Sequence, residues 1–108
     1  MAEVTYLNIP TSLLGRWRAE WDSDDGRSEY HVAVRAGRLS VTGKDCGDGE
    51  EYVISNVAFD RTALTFDTFM PSTGRKGRIS FRTTATAEVQ MTFTFMDVCR
   101  AVRIPEVR

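Results

Sequence analysis

Few side chains in this 108-residue chain are suited to chemistry by type and spacing. His31 is the sole histidine, and it stands two residues from Glu29 in an alternating run, so the two share one face of a strand. Enclosed in a cleft, the carboxylate would orient the imidazole for general-base work; facing outward, both are solvated surface groups. Tyr52 and Asp67 complete the short set from which an active site could be drawn, and their spacing assigns no catalytic residue. Cys46 and Cys99 form no C-x-x-C pair and, with His31, have no zinc-ligand spacing, so neither a metal nor a cofactor is expected and the cysteines are read as two free thiols.

Charged clusters are equally ambiguous. Asp22, Asp24 and Asp25 ahead of Gly26 have some of the look of a calcium loop, but the glycine comes one place early and the distal glutamate is missing, which leaves a polar hairpin turn. Asp45, Asp48, Glu50 and Glu51 could gather around a cation or form a solvated acidic loop. Arg75, Lys76 and Arg78, with Arg82 on the same strand face, could dock a phosphate or an acidic partner, or simply protect a strand edge with charge.

Aromatic residues make the sharpest functional idea. Trp17, Trp21, Tyr30, Tyr52, Phe66, Phe81 and Phe93 are the candidate ligand-binding set, with Phe95 beside them and with Tyr52, Asn56 and Thr68 as polar contacts near strand ends. Such residues can line a cavity for one small hydrophobic molecule, or they can fill the interior themselves.

The elements that must position these side chains are strands. From Gly15 to Ile104 apolar and polar residues alternate with period two between turn signals, and this predicts an all-β, antiparallel up-and-down meander of about eight strands around one core. The runs are 15–22, 28–35, 38–43, 51–59, 63–70, 77–83, 88–96 and 98–104, after a short helical turn begun by Pro10, Thr11 and Ser12. Residues 1–8 form a flexible N-terminal segment in this reading, and the whole chain is one domain. The run 51–59 is irregular: Tyr52 and Ile54 lie in one register, Val57 and Phe59 in the other, which predicts a bulge near Ser55 and Asn56 or burial of both faces at a subunit contact. Short connections favour closure into a small or partly open barrel.

Composition excludes several classes. A formal charge of −1 from interspersed acids and bases provides no field for nucleic acid or an anionic membrane. Neither a basic and apolar leader nor a run approaching ~20 apolar residues occurs, so the expected setting is cytoplasmic.

Leu14, Gly15, Arg16 and Trp17 at the start of the first strand resemble the G-x-W signature of the lipocalins and their calycin relatives. The resemblance implies an antiparallel barrel closed at one end by Trp17, with Arg100 or Arg103 from the last strand packed on the indole. Ala19 stands where the haem-binding barrels of that group carry glycine, and no histidine follows His31, so no ligand is carried over. The chemistry and the resemblance together lead to the expectation of a non-enzymatic protein that binds a small hydrophobic ligand. The alternative is an interaction or homodimerisation module with a filled core, using Val57, Phe69 and Met96 as its surface; a calycin-fold cyclase or isomerase is third.

Overall fold

The protein is described here from a computed structural model that covers residues 2–5, 10–18, 28–86, 88–96 and 99–106, with side chains from residue 10 onward. The architecture is all-β and antiparallel, as the alternation predicts: β1 (Ala2–Thr5), a 3₁₀ turn (Thr11–Leu13), β2 (Gly15–Trp17), β3 (Ser28–Arg35), β4 (Arg38–Asp45), β5 (Val53–Phe59), β6 (Ala63–Met70), β7 (Arg75–Thr83) and β8 (Val89–Met96). Two four-stranded sheets result, in the orders β1-β4-β3-β2 and β5-β6-β7-β8. Residues 19–22, which the sequence adds to the first strand and which include Trp21, lie outside the described residues, as does the expected turn at 22–26.

The hairpins follow their turn residues. Ala36 and Gly37 both have positive φ, 51° and 75°, and their right-handed twist turns β3 directly into β4. Between β6 and β7, the N–H groups of Thr73 and Gly74 donate to the Met70 carbonyl at 3.2 and 2.8 Å, and Gly74 takes the left-handed conformation that this turn requires. Asn56 has φ 52° inside β5, where the register with β6 slips between Ser55 and Ala58. This bulge lets Ile54 before it and Val57 after it both face the core, despite their opposite parity.

Two expectations require correction. Ala2–Thr5, read as part of a loose terminus, pairs with β4 from Ala2↔Val41 to Thr5↔Arg38. Further along the same edge, β4 is joined to the second sheet by the Lys44↔Glu51 bridge and by the Tyr52 N–H donating to the Gly43 carbonyl at 2.9 Å. Of the last expected strand, 98–104, residue 98 lies outside the described residues and the rest is not a strand: residues 99–106 are irregular and exposed, so Arg100 and Arg103 are not on Trp17 and Cys99 is an exposed thiol. A two-residue hairpin loop needs positive φ, and Asp97-Val98 has neither glycine nor asparagine to supply it, whereas valine resists it strongly. The two sheets are consequently not closed, with β2 and β8 unpaired on their outer edges among the described residues.

The core lies between the sheets. Leu13, Tyr30, Val32, Leu39, Val41, Ile54, Leu64, Phe66, Ile79 and Phe81 are buried in it, and Trp17, Tyr52, Val57, Phe59, Val89 and Met91 pack around them. No helix among the described residues is long and apolar enough to cross a membrane.

Candidate functional site

Of the aromatic residues expected to line a cavity, Trp17, Tyr30, Tyr52, Phe66 and Phe81 pack on one another, while Trp21 lies outside the described residues. Tyr30 lies 5.5 Å from Phe66, 6.3 Å from Phe81 and 6.0 Å from Tyr52 between ring centroids, and Phe81 contacts Phe66 and Trp17 at 5.9 Å each. Tyr30, Phe66 and Phe81 are fully buried, and their edge and tilted contacts are those of a close-packed core. Trp17 is half-buried at the rim, where its indole N–H donates to the Leu13 carbonyl at 3.0 Å and fixes the 3₁₀ turn against β2.

A polar spot interrupts this packing. The Tyr30 hydroxyl is buried and has no hydrogen-bond partner, while the nearby hydroxyls of Ser28 and Tyr52 bond to each other at 2.6 Å. Burial, reinforced by Tyr52, pushes the Tyr30 phenol far above its ordinary range, so it stays neutral. The ring is seated on Gly43, its cross-strand partner, where a Cβ would come within 2.8 Å of Cδ1. Thr68 is buried on the inward face of β6, and Asn56 is exposed on the bulge, away from the aromatic cluster.

The catalytic candidates do not converge. His31 is exposed on the outer face of β3, and the Glu29 carboxylate is taken by Arg16 and by the Cys46 thiol. Burial raises the Glu29 pKa, but Arg16, the Cys46 thiol and Lys44 together outweigh it and the net shift is downward. Asp67 accepts from Arg78 Nε at 2.8 Å and from Asn56 Nδ2 at 2.7 Å, and these contacts hold its carboxyl below the ordinary aspartate value. The network pins the bulge to β6 and β7 and removes Arg78 from the basic patch. In the acidic loop, Asp45 and Asp48 accept from the backbone N–H groups of Gly47 and Glu50, and Glu50 accepts from that of Ser72. These carboxylates cap turns, and no group of three or more metal-ligating side chains occurs among the described residues.

Apolar surface gathers on the second sheet. Phe93 and Phe95 project from the inner face of β8 alongside Ile79 and Gly77, yet they are 42% and 57% exposed, because no strand lies beyond β8 among the described residues to cover them. The two rings meet edge to face at 4.4 Å, and the Arg75 guanidinium lies 5.3 Å from the Phe95 centroid. On the opposite face, Val53, Phe69, Lys76 and Met96 stand in register across all four strands, with Val53 half exposed. Val57, expected in this surface, is turned inward by the bulge. Alternation had placed Phe93 and Phe95 on the core side, which is correct for the face; it carries no signal about whether a neighbouring strand exists.

A groove of about 430 Å³ lies where the 3₁₀ turn meets the β5–β6 connection and the end of β7. Leu13 and Phe59 supply apolar lining, and Arg61, Thr62, Arg82 and Thr83 supply polar atoms. Arg61 has φ 86°, and its turn is held by Asp60, whose carboxylate accepts from the Thr62 N–H, the Thr62 hydroxyl and the Ala63 N–H. No family model, no curated protein and no solved structure matches the chain.

Proposed function

We propose that this chain is a non-enzymatic homotypic assembly module that associates through the open side of its second sheet. One observation carries the reading: β8 is an edge strand of eight residues, Val89–Met96, without a charge, a proline or a bulge. Natural edge strands are kept apart by such devices, and an uncharged edge lined by Thr92, Phe93, Thr94 and Phe95 is a template for pairing. Val53 and Phe69, with Met96 beyond Lys76 in the same row, add a second contact on the same sheet. The packed aromatic core also supports this reading over a central ligand cavity. The two exposed cysteines, Cys46 and Cys99, suit a reducing, cytoplasmic setting.

Native mass spectrometry of the protein as purified, beside Phe95→Glu, tests the proposal. Wild type is expected as a multi-chain species and the variant as a folded monomer with the Tm of an unassembled chain, since Phe95 is largely exposed and contributes little to the core. An assembly that survives the substitution, or a wild-type monomer, overturns it.

A second reading has its own observation, the groove lined by Leu13, Phe59, Arg61 and Arg82. It suits a small apolar molecule bearing a carboxylate, the form in which small hydrophobic ligand binding remains compatible with a filled core and a calycin-like Trp17. A retained extra mass that disappears with Arg82→Ala supports it; a bare chain counts against it.

A further inference from the structure

The open edge and the exposed C-terminal segment belong to one another. Residues 99–106 follow β8 after only two residues, yet they form no strand, and Val102 and Ile104 are 76% and 83% exposed. In an extended conformation Val102 and Ile104 share one face and Ala101 and Arg103 the other, the alternation of a strand with one side buried. Residues 99–104 would span about 20 Å and fit within β8, which runs about 27 Å at the usual rise per residue of an antiparallel strand. Pro105 then stops the pairing, because it has no N–H to give to a ladder.

Pairing back onto its own β8 would require a tight reversal at Asp97-Val98, where a valine or aspartate must take positive φ in place of the glycine or asparagine such turns use. Crossing to another molecule needs no reversal. We propose that residues 99–104 are a donated strand, added in antiparallel fashion to the β8 edge of a second copy of this chain, with Val102 and Ile104 covering Phe93 and Phe95. Every chain carries both the donor and the acceptor, so the exchange is reciprocal and closes as a twofold dimer. The inference rests on the assembly reading above and adds what the edge takes up.

Two full-length variants separate the halves. Val102→Asp/Ile104→Asp breaks the donor and leaves the edge intact; Phe95→Glu breaks the acceptor and leaves the donor intact. Each alone is expected to be monomeric by native mass spectrometry, with the Tm of an unassembled chain. Mixed in equal amounts, they should form a heterodimer, because one functional donor meets one functional acceptor. Isotopic labelling of one variant identifies that species by mass. If the donor variant remains dimeric while Phe95→Glu does not, the donated strand is wrong and edge association stands. If both variants remain dimeric, the edge reading falls as well. A wild-type monomer whose β8 amides exchange slowly overturns both and assigns the cover to residues of the same chain.

Discussion

The position of Gly43 under Tyr30 gives the most exacting test of the packing. A Cβ on Gly43 would lie 2.8 and 2.9 Å from Cδ1 and Cε1 of Tyr30 and 3.3 Å from Cδ2 of Tyr52. The Tyr30 ring cannot retreat, since Phe66, Phe81 and Tyr52 stand around it and the residue is 1% exposed. Overpacking of a core by one carbon costs about 1–3 kcal/mol. Alanine recovers roughly 0.5–1 kcal/mol of the backbone entropy that glycine loses in a strand. The net destabilisation of Gly43→Ala is therefore on the order of 1–2 kcal/mol, a fall in Tm of about 4–16 °C for a domain of this size. Gly47→Ala is the control, because the nearest atom to its new methyl is the tip of the exposed Asp45 side chain at 3.1 Å. The assay is thermal and urea unfolding of Gly43→Ala in the wild-type and Tyr30→Leu backgrounds. If the ring causes the cost, the cost disappears once the ring is gone. An unchanged Tm in the wild-type background, or equal losses in both, refutes the arrangement.

Other consequences are equally direct. Tyr30→Phe removes a buried hydroxyl with no partner, so urea unfolding should show equal or greater stability, by up to about 1–2 kcal/mol, where removal of a bonded hydroxyl would cost stability. Trp17→Ala loses a half-buried ring packed on Phe81 together with its bond to the Leu13 carbonyl; the expected loss is about 2–3 kcal/mol, below the cost of a fully buried indole, and calorimetry gives the value. Ala36 carries φ 51°, so Ala36→Gly should raise stability by about 1 kcal/mol in the same experiment. Asp67 has its folded-state pKa lowered by Arg78 and Asn56, so its contribution is present above the ordinary aspartate pKa of about 3.9 and is lost as pH falls through the folded value. The acid limb of Tm against pH should accordingly be shallower in Asp67→Asn than in wild type.

Alternation read the strands at 28–35 and 63–70 to the residue, because each has one buried face and a turn signal at both ends. It also offered the bulge as one of two solutions for the opposed parities of Ile54 and Val57, and Asn56 accepts the positive φ that this solution requires. The strand at Ala2–Thr5 was not legible, since four residues give too short a run for periodicity and its partner lies more than thirty positions away. The candidate site was legible only in part. Period two assigns Phe93 and Phe95 to the inner face, but their exposure depends on a neighbouring strand that residues 98–104 were expected to supply and do not. Tyr30, Phe66 and Phe81 were found as members of one set, but their packing on one another rests on ring-to-ring distances that spacing along the chain does not encode.

The pairing of β1 with β4 also fixes an order of events during synthesis. Strands β3, β4, β6, β7 and β8 each pair with a strand made immediately before them, and β5 with the one made next, but Ala2–Thr5 must wait for residues 38–41. At translation rates of about 5–20 residues per second that interval is roughly 2–7 s, far longer than the microseconds in which a hairpin forms. Ala2–Thr5 thus docks onto a hairpin that is already built, and until it arrives the edge of β4 that it covers stays bare.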